Sequence, residues 1–356
     1  MSDAARELWE RLATARLVAG DMPAAGAGGS PWYVRVMLGV AGWIAALFLL
    51  GFVAVGLRVE GGAAAIAIGM VAIGSAFAVL RLASRNDFAA QFGLAVSFAG
   101  QALVLFGLWD LAHRNTAAVW LAVAVLEAGL VVLIPNYVHR VWSGWAAVTA
   151  LALALIRLHE PYVAPALAGT AVAALWLTEF RWGRLAAMLR PAAYGVTLAL
   201  VMLETHPFFA KWWLGLFMGR ARPQDTLIAP WVSEVAAGAL LVAVAGCLLA
   251  RAGDGLRRPR ALAALVAAAA VGALSVEAPG IATGLMIVLL GYAAANRVLA
   301  GIGLAALVFY LSAYYYTLEE TLLYKSAVLT ATGLVLLASR WLMLRFVLPE
   351  TDDEPA

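Results

Sequence analysis

Twelve apolar stretches, each near the length that crosses a bilayer, fill the chain between Val34 and Ser339, and the charges lie almost entirely in the gaps. A helix needs about 20 apolar residues to span the hydrocarbon core. Inside that core every backbone N–H and C=O must be satisfied within the segment, which helices do. The pattern therefore predicts an all-α, polytopic transmembrane helix bundle of about 12 spans. They are expected at 34–57, 61–80, 88–109, 116–134, 141–157, 163–178, 185–203, 230–250, 261–276, 280–295, 298–316 and 321–339. Stretches 5, 6, 9 and 10 are short, which suits tilted partners or a re-entrant pair. Glu277-Ala-Pro-Gly280 keeps 9 and 10 apart with a charge and a turn.

Lys and Arg alternate between crowded and nearly empty gaps. The N-terminus and the gaps after even-numbered stretches hold 17 of the 24, and the other gaps hold 7. Cytoplasmic loops carry the excess of positive charge, so both ends are expected inside. This divides the chain into three parts. Residues 1–32 form a cytoplasmic amphipathic helix and a Gly/Ala linker, 33–340 the transmembrane domain, and 341–356 an acidic cytoplasmic tail. In the first part, Leu8, Leu12, Ala15 and Ala19 recur on one helix face. That face suits either an inner-leaflet surface or a docking partner. No cleavable signal peptide is expected, because residues 1–20 are charged and the first apolar run is too long.

Composition agrees with a lipid environment. The chain is 64% hydrophobic and 13% charged, with a mean hydropathy of +0.90. Soluble domains carry about 45–50% apolar and about 25% charged residues. The net charge of +3 comes from arginines at helix ends. It forms no basic, aromatic-bearing surface of the kind nucleic acid requires. The single cysteine, Cys247, lies in stretch 8 and has no intrachain partner.

Glu127 is the one acid deep inside an expected span. A carboxylate at that depth costs at least a few kcal/mol to charge, so such residues face the bundle interior and often mark function. Two readings stand: a protonatable gate or solute contact, or a structural carboxyl hydrogen bonded to another helix, for which Gln101 in stretch 3 is a candidate. On the outer side, His113 follows Asp110, His159 precedes Glu160, and Glu204 precedes His206. Histidine with carboxylate can hold a divalent metal. No tight HxxH spacing supports one, and polar helix ends explain the residues equally. Lys325 follows Glu319 and Glu320 and either snorkels or pairs with them. In the outer 204–229 connection, Phe208–Met218 carries Phe and Trp around Lys211, a composition that suits the headgroup level.

No GxxxxGK, HExxH or GxSxG-type motif is present, and polar side chains inside the stretches are sparse. A non-enzymatic chain without a cofactor is the expectation. Membrane lipids are its expected surroundings.

Three segments carry a resemblance. One runs from Leu8 and Leu12 through Leu17-Val-Ala-Gly-Asp-Met-Pro23. The second is Pro31-Trp-Tyr-Val-Arg-Val-Met-Leu-Gly-Val-Ala-Gly-Trp43 with Leu47-Phe-Leu-Leu-Gly-Phe52. The third is Phe309-Tyr-Leu-Ser-x-Tyr-Tyr-Tyr316, then Leu318, Thr321-Leu-Leu-x-Lys-Ser326 and Gly333. Together they resemble the bacterial multi-pass family named domain of unknown function 4401, which is similar to family 2157. The resemblance implies no activity. It implies a neighbour-encoded, small membrane-anchored partner of the GDYXXLXY type, and it marks Tyr314, Tyr315, Leu318, Thr321, Leu322, Lys325 and Ser326 as the motif that matters. Two functions follow as expectations for a bacterial inner-membrane protein. One is a non-enzymatic subunit or scaffold of an envelope complex. The other is a transporter or channel for a small or lipidic solute, with Glu127 as its protonatable group.

Overall fold

The computed structural model describes residues 3–15, 61–82, 86–112, 116–205, 227–252 and 258–317. It also describes positions 33, 37, 40–45, 48 and 51 before these, and 323, 326, 327, 330, 331, 333, 334, 337, 338 and 341 after them. Among the described residues the regular structure is helical throughout, with no strand. The helices are α1 (Asp3–Thr14), α2 (Gly62–Leu82), α3 (Asp87–Ala112), α4 (Ala117–Leu133), α5 (Tyr137–Arg157) and α6 (Val163–Leu177). After two short 3-10 turns come α7 (Ala186–Leu203), α8 (Trp231–Arg251), α9 (Pro259–Leu274), α10 (Ile281–Ala293) and α11 (Arg297–Thr317).

Six helices, among the described residues, are long and apolar enough to cross a membrane. The short apolar helices are α4, α6, α9 and α10, with 17, 15, 16 and 13 residues. At about 1.5 Å per residue, they fall short of a 30 Å hydrocarbon core. The helix of stretch 5 is longer than its apolar run. It begins at Tyr137 because Asn136 caps it, its side chain accepting from the His139 N–H at 3.1 Å. Tyr137, His139 and Arg140 put polar groups in the first turn, so apolar length misses it. Stretches 9 and 10 do not form a closed hairpin: α9 packs mainly on α8, and α10 on α11 and α8.

The chain divides into two compact units: Met1–Glu60 with Ala67–Leu103, and Gly61–Ile66 with Val104–Ala356. In the first, α2 and α3 approach closely through small residues. A Cβ on Gly100 would meet the Gly69 carbonyl and Ile73, and one on Gly93 would meet Leu80. The Trp43 ring lies 5.6 Å from that of Phe98.

The second unit is built the same way, with glycine at several close crossings. Gly195 on α7 lies against the Val141 carbonyl and Trp145 of α5, Gly238 of α8 meets Gly272 of α9, and Gly291 of α10 meets Ala300 of α11. Helices in lipid gain little from apolar burial, so close backbone approach through small residues carries the association. The core is a continuous apolar cluster including Val172, Trp176, Leu200, Leu241, Met286, Ile287 and Tyr314.

One end of this unit is held by an arginine. Pro191 inside α7 has no N–H to give the carbonyl of Ala187, four residues earlier. Arg140 Nη1 takes that carbonyl at 3.0 Å, and its Nε donates to Val131 O, also at 3.0 Å. The same end holds a buried pair in which Tyr194 Oη and Asn296 Oδ1 lie 2.9 Å apart. At the opposite end lie the α5–α6 turn, the end of α7, the start of α8 and the α9–α10 turn.

Candidate functional site

The α5–α6 turn is set by a C-terminal helix stop. His159 takes a left-handed conformation, φ 65°, and its N–H reaches Ile156 O while the Glu160 N–H reaches Leu155 O. That is the Schellman pattern, which usually puts glycine at the left-handed position. His159 is exposed there and ends a helix. Glu160 then ties the turn to the start of α8, its Oε1 accepting from the Leu227 N–H at 3.0 Å.

The α9–α10 turn is equally determined. The Ser275 hydroxyl donates to Val271 O and accepts from the Ala282 N–H, both at 2.9 Å, and so caps the next helix from seven residues upstream. Gly280 enters α10 with φ 85°. A Cβ there would meet the ring of Tyr310, so the position needs glycine for backbone and for space.

These turns bring two acids together. Glu204 ends α7 and is 3% exposed; Glu234, in the first turn of α8, is 5% exposed. Thr283 Oγ1 donates to Glu204 Oε1 at 2.8 Å. The Gly280 N–H donates to Glu234, and the two carboxyls act on each other electrostatically. Both donors belong to the start of α10, where the helix end favours negative charge. No described arginine or lysine is among the groups acting on either acid. Oε2 of Glu234 is buried with no hydrogen-bond partner among the described residues.

A cavity of about 480 Å³ reaches both carboxyls. Its walls include Tyr162, Pro165, Leu203, Ser233, Val276 and Pro279, and its rim reaches the surface at Pro230 and Trp231, both exposed. Tyr310, fully buried behind Gly280, donates to Val201 O at 2.8 Å. A second cavity of about 400 Å³, between α8, α9 and α10, is lined by Leu, Ala and Val alone and offers no polar chemistry.

The sequence candidates fall elsewhere. Glu127, 2% exposed, shares a hydrogen bond with Ser143 of α5. The Ser143 oxygen lies 3.2 Å from Nδ1 of His139, so Glu127, Ser143 and His139 form a buried chain across α4 and α5. None of the three main cavities is lined by Glu127. Gln101 belongs to the first unit, where its Nε2 donates to Ser97 Oγ at 3.4 Å. His113, His206, Leu318, Thr321, Leu322 and Lys325 lie outside the described residues, as do most of stretch 12, the linker and the tail. Among the described residues no three metal-ligating side chains cluster. In the Tyr-rich segment, Tyr314 is buried while Tyr315 and Tyr316 are exposed. Ser326 is exposed and donates to Leu323 O at 2.9 Å.

Glu234 escaped sequence reading because it stands only one turn inside an apolar stretch, where an acid passes for an interfacial residue. The available signal was that the end of stretch 7, the start of stretch 8 and the 9–10 turn all belong to one side.

The family model described as domain of unknown function, DUF4401, matches residues 31–346. The chain belongs to the DUF4401 family. No curated protein and no solved structure matches it. The DUF4401 match includes Glu127, Glu204, Glu234 and the Phe309–Ser326 segment. It begins at residue 31, so the Leu8–Pro23 segment lies before it.

Proposed function

We propose that this DUF4401 protein is a multi-pass protein of the bacterial inner membrane, with about 12 spans and both ends cytoplasmic, that carries a small solute through the site of Glu204 and Glu234. The observation that supports it is a surface-reaching cavity ending on two buried carboxyls. Intramembrane ionisable groups are costly and mark solute or ion pathways by default. Carriers place such groups where helices are short or interrupted. Here α9 and α10 are both short, and the turn between them supplies the N–H that holds Glu234.

A carrier exposes its site to the two sides in turn, which gives the test. In a Cys247→Ala background, Ser233→Cys places one thiol on the cavity wall. Membrane-impermeant thiol reagents should modify it from the outside in right-side-out vesicles and from the inside in inverted vesicles. Modification from one side only would overturn the carrier.

A second reading has its own observation. Tyr315 and Tyr316 of the family motif are exposed at the end of α11, where they could meet a small membrane-anchored partner of an envelope complex. Co-purification in mild detergent tests it. Recovery of the chain always alone counts against it.

A further inference from the structure

We infer that the occupant of the Glu204–Glu234 cavity is a small organic cation, an ammonium ion with apolar substituents. The inference rests on the carrier reading and adds the chemical class of the solute.

The charge comes first. Two buried carboxyls that act on each other cannot both be ionised at low cost. The described partners are one hydroxyl and one backbone N–H, both neutral. Each supplies a hydrogen bond; neither supplies a positive charge. Glu234 lines the cavity, and its Oε2, buried with no hydrogen-bond partner among the described residues, is left as an acceptor. A bound cation would take that hydrogen bond and offset the charge together. An anion would meet two acids, and a neutral solute would offset no charge when a carboxyl there is ionised.

The walls decide between cations. Calcium takes 6–8 oxygen ligands, and magnesium a near-octahedral shell. Here Thr283 already donates to Glu204, Ser233 donates to Pro230 O at 3.0 Å, and most of the remaining wall is carbon. A space of about 480 Å³ is also far larger than a bare ion and falls in the range of small-molecule sites, about 300–1,000 Å³. Tyr162 and Trp231 line the cavity, and aromatic rings attract organic ammonium groups. Apolar walls, two aromatic rings and a carboxyl with a vacant acceptor together suit a charged nitrogen on a hydrocarbon body.

The same Ser233→Cys, Cys247→Ala protein provides the test, in outward-facing vesicles. Two methanethiosulfonates of matched size are compared, one bearing trimethylammonium and one bearing sulfonate. Each rate is normalised to that of a small thiol in solution, which removes the reagents' intrinsic difference. The cationic reagent should be favoured about tenfold or more, as focused fields in clefts allow. Glu234→Gln and, separately, Glu204→Gln should bring that preference towards parity. Two variants are used so that misfolding of one does not decide the result. Tetraethylammonium or ethylammonium should protect the thiol, and sodium or magnesium at equal ionic strength should not. Parity between the reagents in the protein with both acids intact, or protection by the metal ions alone, would overturn the organic cation while leaving an accessible cavity. Failure of both reagents to react from either side would instead remove the carrier reading, and this inference with it.

Discussion

Glu127 and the Glu204–Glu234 pair are all buried acids of the second unit, yet they are built in opposite ways. Glu127 stands mid-helix, bonded to Ser143 of the adjoining helix, which in turn meets His139. Its surroundings are α4 and α5, the helices that also pack Trp120 on Ala150, Leu153 and Ala154. Glu204 and Glu234 stand at helix ends, are held from a third helix, and face a cavity. The difference teaches that depth in a span is a weaker guide to function than the meeting of interrupted helix ends. Glu127, a lone acid in continuous helix, shares one hydrogen bond with a neighbouring hydroxyl. Its Oε2, like that of Glu234, is buried without a hydrogen-bond partner among the described residues, so what separates the two regions is the cavity and the second acid. Two acids at the junction of α7, α8 and α10 retain a charge problem that those helices do not solve.

The largest expected effect breaks the pair's support without touching either acid. Gly280→Val adds a Cβ into the Tyr310 ring and a β-branched residue at φ 85°. Strain of that kind costs about 1–3 kcal/mol, and overpacking costs about 1–3 kcal/mol more. A large fall in apparent Tm in detergent is expected, together with loss of the Ser233→Cys modification. Unchanged stability would mean that the turn is not held as described.

A smaller effect, of opposite sign, separates the two regions. Glu234→Gln keeps an oxygen for the Gly280 N–H and removes the repulsion with Glu204. At mildly alkaline pH the protein should gain roughly 1–3 kcal/mol, since an uncompensated buried charge is expensive and its removal favourable. Thermal unfolding of the full chain in detergent measures it. A loss of stability would show that Glu234 already has a cationic partner.

Much of this fold could be read from the chain, and the site could not, for reasons that lie in particular residues. Apolar length placed a helix at 62–82 where 61–80 was expected, and at 297–317 where 298–316 was expected. Such stretches are set by the solvent, and the sequence records that directly. Of the four missed residues at the start of α5, Tyr137, His139 and Arg140 carry polar groups, and their helix comes from the Asn136 cap. Glu234 was hidden for a different reason. Its meaning depends on Gly280 and on Glu204, which are distant in the chain and joined only by packing. Thr283 likewise reads as an ordinary polar residue inside an apolar stretch until α10 is set beside α7. His159 illustrates the converse: a residue chosen for its chemistry proves to hold the left-handed stop of a helix.

The smallest effect concerns Glu127. Glu127→Gln retains an oxygen to accept from Ser143 and an amide to donate, so the link between α4 and α5 survives. Exchanging one neutral hydrogen bond for another changes stability by no more than about 0.5–1 kcal/mol. The cationic preference at Ser233→Cys should be unchanged, because no cavity connects the two acids' surroundings among those lined by Glu204. If Glu127→Gln instead removed that preference as fully as Glu234→Gln, the two regions would be one pathway. The Glu127–Ser143–His139 chain would then be its continuation toward the arginine-bearing end, since His139 lies in the first turn of α5 beside Arg140. An unchanged preference with near-native Tm assigns Glu127 to packing and leaves the solute to Glu204 and Glu234.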